Sequence, residues 1–156
     1  MEFRTARPNE SAALSELVLA GVAYWGHDVN FPDAVRSLEE HDLPTPEFIE
    51  ANTVEVLVDD ERPIGFYSLV EADGFVDLEH MFLDVDRIGS GLGRRLFERA
   101  TTVARGIDDR MRILSDPAAK GFYAAMGAEL EREVEAAPGF FLGVMWLDLR
   151  QPADRG

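Results

Sequence analysis

Apolar residues recur along this chain in two rhythms, and the rhythm switches at short polar breaks. Near the N-terminus Ala13, Leu14, Leu17, Val18 and Val22 fall three and four apart, the spacing of one helical face. Pro8-Asn9 precedes them, which makes Asn9 the expected N-cap. Tyr24-Trp25-Gly26-His27-Asp28 ends that helix, and a second is predicted from Pro32 to about Glu40. A third, short one opens at Thr45-Pro46-Glu47, with Thr45 capping and Pro46 at the first helical position. Glu2–Arg7 reads as a first strand. From Thr53 the period shortens to two, and Thr53–Val58, Ile64–Val70 and Phe75–Leu83 read as strands. Their connections, Asp59–Pro63 and Glu71–Gly74, are too short for anything but antiparallel hairpins, because a parallel return needs about a dozen residues.

The helical rhythm returns with Leu92, Leu96, Phe97, Ala100, Val103 and Ala104, and Gly106 stops it. Met111–Ser115 is a strand, and Asp116-Pro117 opens a helix that carries Phe122, Tyr123 and Met126 and ends at Gly127. Two more strands, Glu129–Glu135 and Phe140–Leu149, follow. No repeat or linker divides the chain, so residues 1–150 are expected to form one domain and 151–156 a frayed tail.

Composition narrows the function classes. No apolar run reaches the roughly 18–20 residues of a membrane helix, and Met1–Thr5 leads straight into strand-like sequence. The absence of cysteine excludes a disulfide framework, a thiolate metal site and a cysteine nucleophile, and a cytoplasmic protein is expected. Thirty acids stand against fifteen bases, a net charge of -15, and Lys120 is the only lysine. Such a surface repels nucleic acid and anionic lipid. Scarce lysine, arginine in its place and no cysteine fit a salt-rich cytoplasm, where screening relieves self-repulsion. His27, His41 and His80 have no metal-ligand spacing, so no metal is expected.

Asp86–Phe97 carries the most chemistry. Gly89, Gly91 and Gly93 alternate along a loop that leaves an apolar strand and opens into an amphipathic helix. Glycines let the backbone approach a ligand closely, and the first helical turn offers unpaired N–H groups at the positive end of the helix dipole. That combination seats a phosphate or pyrophosphate, with Arg87, Arg94 and Arg95 nearby. The spacing G-x-G-x-G is not the dinucleotide fingerprint G-x-G-x-x-G, and hairpins precede it. No Lys-Ser or Lys-Thr pair follows the last glycine, which excludes Walker A. A plain glycine-rich turn between strand and helix remains the bland alternative.

Four segments together resemble the GNAT acyltransferase superfamily over nearly the whole chain. They are Leu78–Val85, Ile88-Gly89-Ser90-Gly91-Leu92-Gly93, Asp116-Pro117-Ala118-Ala119-Lys120-Gly121-Phe122-Tyr123, and Met126-Gly127-Ala128. The resemblance implies an α+β, three-layer GNAT fold. Its mixed, mostly antiparallel sheet has about seven strands, splays at the fourth and fifth, and is flanked by about four helices. It implies acetyl-CoA (or another acyl-CoA) as co-substrate. The expected contacts are Met81, Phe82 and Leu83 on the strand, Ile88, Gly89, Ser90, Gly91, Leu92, Gly93 and Arg94 in the loop, and Asp116, Ala119 and Phe122 beyond it. Two positions depart from the family pattern. Ile88 stands where the loop usually begins with Gln or Arg, for which Arg87 could compensate, and Asp116 replaces the usual Asn.

The implied reaction is direct acetyl transfer to a primary amine of a small molecule or peptide. An amine with a lysine-like pKa of about 10.4 is mostly protonated at neutral pH and needs a base. Glu79 is the first choice and Asp77 the second, with Tyr123 as the acid for the departing thiolate. By the period of two, Asp77, Glu79, Met81 and Leu83 share one face, and His80 and Phe82 the other. His80 has an ordinary pKa of about 6.5 that suits a base, but this parity sets it away from Glu79 and makes it a hydrogen-bonded sheet histidine. A bulge in the strand, which the resemblance implies, would shift the parity and free an amide near Leu83 to polarise the thioester carbonyl. Trp25 and His27, between the first two helices, are the candidate acceptor contacts. A catalytically silent CoA-binding domain and an interaction protein remain open readings, as does a homodimer through the last strands.

Overall fold

The computed structural model describes residues 1–150, so the tail expected at 151–156 lies outside the described residues. The strands are β1 (Glu2–Thr5), β2 (Thr53–Asp59), β3 (Arg62–Ala72), β4 (Phe75–Leu83), β5 (Arg110–Ser115), β6 (Glu129–Ala137) and β7 (Phe140–Asp148). They form one sheet in the order β1-β2-β3-β4-β5-β7-β6, antiparallel except where β4 meets β5. The helices are α1 (Ser11–Tyr24), α2 (His27–Asn30), α3 (Pro32–His41), α4 (Pro46–Ala51), α5 (Leu92–Arg105) and α6 (Lys120–Ala125). There are six rather than about four, because the break after α1 itself holds a single turn, α2, and α4 is a separate short helix.

Two apolar layers sandwich the sheet. On one face Leu96, Phe97, Ala100 and Ala104 of α5 and Tyr123 of α6 pack against Tyr67, Leu69, Val76, Leu78, Met111, Ile113 and Met145. On the other, Leu14, Val18 and Val22 of α1 and Ile49 of α4 pack against Val54, Val56, Val58 and Phe66. Thr45 caps α4 as its sequence dictates, accepting the Phe48 N–H at 3.0 Å. Asn9 caps nothing. The chain first makes a 3-10 turn at Pro8–Glu10, and the Glu10 carboxylate accepts the Arg7 N–H at 2.8 Å while Arg4 grips it with two nitrogens.

Two irregularities in β4 create the site. The parallel ladder to β5 lasts only three pairs, Val76 with Met111, Asp77 with Arg112 and Leu78 with Ile113, after which the strands part. On its other side, β4 sets His80 opposite Ser68 but Leu78 opposite Leu69, so Glu79 is an extra residue. The bulge therefore lies at Glu79, and it reverses the parity of the strand. Val76 and Leu78 face α5 before it, and Met81 faces α5 after it, while His80 and Phe82 turn to the α1 side. The single face expected for Asp77, Glu79, Met81 and Leu83 does not exist.

Candidate functional site

Gly89 (φ 87°) and Gly91 (φ 88°) shape the loop between β4 and α5, taking a left-handed backbone that side chains disfavour. A Cβ at either would meet nothing within 4 Å, so conformation, not crowding, demands glycine there. Ser90 and Ile88 donate their N–H groups back into the preceding turn, and the Leu92 N–H leans on Ser90 Oγ at 3.4 Å. Among the described residues, the N–H groups of Gly89, Gly91, Gly93 and Arg94 donate to no protein acceptor. Four free donors at the positive end of a four-turn helix make a ready anion seat. Its donor set fits a diphosphate. Arg94 is mostly exposed beside it, 4.0 Å from Glu98. Arg87 does not compensate for Ile88: Asp59 of β2 holds its guanidinium at 2.9 Å. Arg95 lies over the Phe3 ring instead.

The parted strands lead from this loop to the acids. Met81 is partly buried against the α5 layer, Phe82 against α1 beneath Gly21, and Leu83 beside Gly65. Across the gap, the Asp116 carboxylate accepts the Ala119 N–H at 2.9 Å and starts the turn that leads into α6. Phe122 and Tyr123 follow on α6, edge-on to each other, and Phe97 meets Phe122 edge-on and Tyr123 at a tilt. Phe122 also lies against Gly93, which ties α6 to the glycine loop.

Four groups were candidates for proton transfer on β4 and α6, and the structure separates them. Asp77 is clasped by Nε and Nη2 of Arg112, which donate to its two oxygens at 2.7 and 2.8 Å, so it is occupied. His80 is buried, with Nδ1 2.7 Å from Ser68 Oγ and Nε2 2.6 Å from the Asp42 carbonyl. A neutral ring satisfies both contacts, accepting from Ser68 and donating to Asp42, and burial pushes its pKa down. It is a fastened sheet histidine. Glu79 has no hydrogen-bond partner among the described residues and opens to solvent on one side. Desolvation on its other sides, then the Asp77 and Asp42 carboxylates, raise its pKa, while Arg112 opposes them. Tyr123 is buried, and burial followed by the Asp116 charge lifts its hydroxyl well above an ordinary phenol.

The two candidate acceptor contacts part company. Trp25 is half exposed, and its only aromatic neighbour among the described residues is Tyr24, edge-on at 4.8 Å. His27 is buried against Phe140 and Phe31, with Nε2 3.7 Å from Asp116 Oδ2. That approach is not foreshadowed in the sequence, nor are the Asp42 carboxylate near Glu79 and the Arg112 clasp on Asp77. All three join residues far apart in the chain, and no local pattern marks them. No group of three or more metal-ligating side chains occurs among the described residues, and no helix there is long and apolar enough to cross a membrane.

Residues 50–127 match the family described as the acetyltransferase (GNAT) domain. No curated protein matches the sequence. Several solved structures share the fold. PaiA N-acetyltransferase from Thermoplasma acidophilum, in complex with coenzyme A, superposes with a TM-score of 0.76 at 15% identity, over 94% of this chain and 98% of its own. YncA from Salmonella typhimurium, with its cofactor acetyl-CoA, gives 0.69 at 18%, over 100% and 98%. The aminoglycoside 6'-N-acetyltransferase from Enterococcus faecium gives 0.69 at 14%, over 99% and 100%. At these identities the likeness is one of fold.

Proposed function

The chain belongs to the GNAT acetyltransferase family, and from that membership we propose that it moves an acetyl group from acetyl-CoA to a primary amine of a small molecule or peptide. The observation that carries the reading is the set of unpaired N–H groups from Gly89 to Arg94, at the mouth of the gap between β4 and β5. The diphosphate of the coenzyme sits on those donors, with Arg94 beside it. The pantetheine arm runs into the gap between Met81, Phe82 and Leu83 on one side and Asp116, Ala119 and Phe122 on the other. Coenzyme-bound relatives of the same fold support this placement.

Glu79 is the base in this reading, directly or through water. It is the one acid on β4 free of a partner, and its raised pKa brings it nearer the neutral range where a base works best. Amine nitrogen attacks the thioester carbonyl, an N–H on the unpaired edge of β4 polarises the carbonyl oxygen, and the C–S bond breaks. Tyr123 protonates the leaving thiolate. The acids around Glu79 favour a cationic amine at the mouth, with the Arg112 clasp on Asp77 limiting how much negative charge it meets. Incubation with acetyl-CoA and a panel of amines, polyamines, amino sugars and amino acids tests the reading by release of free thiol. Thiol release above the rate of thioester hydrolysis supports it, and none with any acceptor, despite heat of binding for acetyl-CoA, would leave a silent coenzyme-binding domain.

A further inference from the structure

His27 Nε2 is fully buried, yet it has no hydrogen-bond partner, the only such side-chain atom among the described residues. Burying a polar nitrogen without a partner forfeits its hydration with nothing in return, so an orphan of this kind calls for a use. The groups packed around the ring narrow the use. Phe140 of β7 and Phe31 before α3 flank it at 5.3 and 6.0 Å and carry no charge. Asp28, on its own turn, is engaged with the Val29 N–H. Lys120 at the start of α6 is held by Glu133 of β6 at 3.2 Å. The one charged group that approaches Nε2 is Asp116 Oδ2, 3.7 Å away. Asp116 in turn stands before the helix that carries Tyr123, and its charge is felt at the Tyr123 hydroxyl.

We propose that His27 and Asp116 form a proton-sharing pair that serves Tyr123, making His27 a positioning and proton-supplying residue in acetyl transfer. The inference rests on the acetyl-transfer reading. A bare carboxylate beside Tyr123 works against its task, because it disfavours the tyrosinate left when the proton departs. An imidazolium on the far side of Asp116 cancels that field, and it also holds the replacement proton. The accounting closes. The amine nitrogen forms the C–N bond and gives up one proton, to Glu79. The C–S bond breaks with its electron pair on sulfur, which takes the Tyr123 hydroxyl proton. The tyrosinate recovers a proton from the His27 imidazolium by way of the Asp116 carboxylate and an intervening water. Neutral His27 regains one from solvent, which receives the proton held by Glu79.

The test uses His27→Gln, Asp116→Asn and Tyr123→Phe, alone and as the His27→Gln/Tyr123→Phe double variant. His27→Gln is expected to lower kcat about 10- to 100-fold, at or below the lower end of the roughly 100- to 10,000-fold typical of general acid–base catalysis because it acts through Tyr123, and to alter the kcat–pH profile. The KM for the amine and the affinity for acetyl-CoA stay within threefold. The double variant is no slower than Tyr123→Phe, because His27 acts through Tyr123. Losses that multiply, or an unchanged pH profile in His27→Gln, overturn the proposal. A second measurement needs no turnover: nitrogen NMR of the wild-type His27 imidazole is expected to find the proton on Nε2, and to find it redistributed in Asp116→Asn. A bare Nε2 in the wild type rejects the pair. Absence of thiol release in the wild type counts against the acetyl-transfer reading instead, and the imidazole nitrogen still decides whether the pair exists.

Discussion

Gly93 offers a sharp separation of what the fold needs from what the ligand needs. It lies in the first turn of α5, its φ is not positive, and a Cβ there would meet only the Phe122 ring at an ordinary 3.9 Å. Nothing in the protein asks for glycine. Alanine is the better helix former by about 0.5–1 kcal/mol, so Gly93→Ala should stabilise the ligand-free protein. At about 2–4 °C per kcal/mol for a chain of this size, the Tm rises by roughly 1–4 °C. In the proposed function, the same methyl stands where a diphosphate oxygen approaches the Gly93 and Arg94 N–H groups. Losing one charge-assisted hydrogen bond costs about 1.5–3 kcal/mol, or roughly 10- to 150-fold in Kd for coenzyme A. Gly91→Ala is the counterpart: its left-handed φ of 88° makes alanine unfavourable by about 1–2 kcal/mol, so Tm falls by roughly 2–8 °C. Thermal unfolding without ligand and calorimetric titration with coenzyme A read both quantities at one fixed salt concentration. A Gly93→Ala protein that is more stable and binds coenzyme A as tightly as the wild type refutes the assignment of the loop.

Four further outcomes follow from the geometry. Tyr123→Phe should lower kcat while acetyl-CoA affinity stays within a few-fold, and steady-state kinetics with calorimetry separate the two; unchanged turnover removes Tyr123 from the chemistry. Glu79→Gln should flatten the acid limb of the kcat/KM profile, because the base must first lose its proton. It should also stabilise the protein near pH 7, where both folded and unfolded Glu79 are ionised and the fold disfavours the charge; that gain disappears below about pH 4, where both forms are protonated. Glu55 binds Arg99 at 2.8 and 3.0 Å and accepts the buried Tyr67 hydroxyl at 2.6 Å, so Glu55→Ala should cost about 3 kcal/mol by chemical denaturation at pH 7. Arg99 and Tyr67 hold the Glu55 pKa low, so this stability is present above the usual carboxylate range and fades as pH falls through the lowered value. With a net charge of -15, raising potassium chloride from 0.1 to about 1 M shortens the Debye length from about 10 to 3 Å, and Tm should climb; a flat response contradicts adaptation to salt.

The elements were legible because most of them obey a single local rule. β4 has the bounds its alternation predicts, Phe75–Leu83, and α4 begins where Thr45 and Pro46 say it should. The turn at the loop glycines was legible for the same reason: alternate glycines between a strand and an amphipathic helix mark a backbone that side chains disfavour, as Gly89 and Gly91 show. What stayed hidden depends on contacts between distant segments. The bulge at Glu79 is defined by the partner strand β3, so no periodicity within β4 reveals it, and the inferred facing of Asp77, Glu79 and Met81 failed there. The Asp59 grip on Arg87 joins β2 to the turn before the loop, and it removes a cation that sequence proximity had assigned to the ligand. His80 looked the better base by its ordinary chemistry, but Ser68 and the Asp42 carbonyl occupy both ring nitrogens.

The three-pair junction between β4 and β5 leaves the molecule with a seam. On either side of it the ladders are long, and at the seam itself the backbone is stitched together only at its lower end. If the proposed coenzyme lodges there, its amide groups can pair with the loose edges and stand in for the missing rungs. Amide hydrogen exchange around Glu79–Leu83 and Leu114–Ser115 should then slow when acetyl-CoA is added, far more than exchange within β2 or β7. On that reading, tightness at the seam is conferred from outside, where the two strands decline to meet.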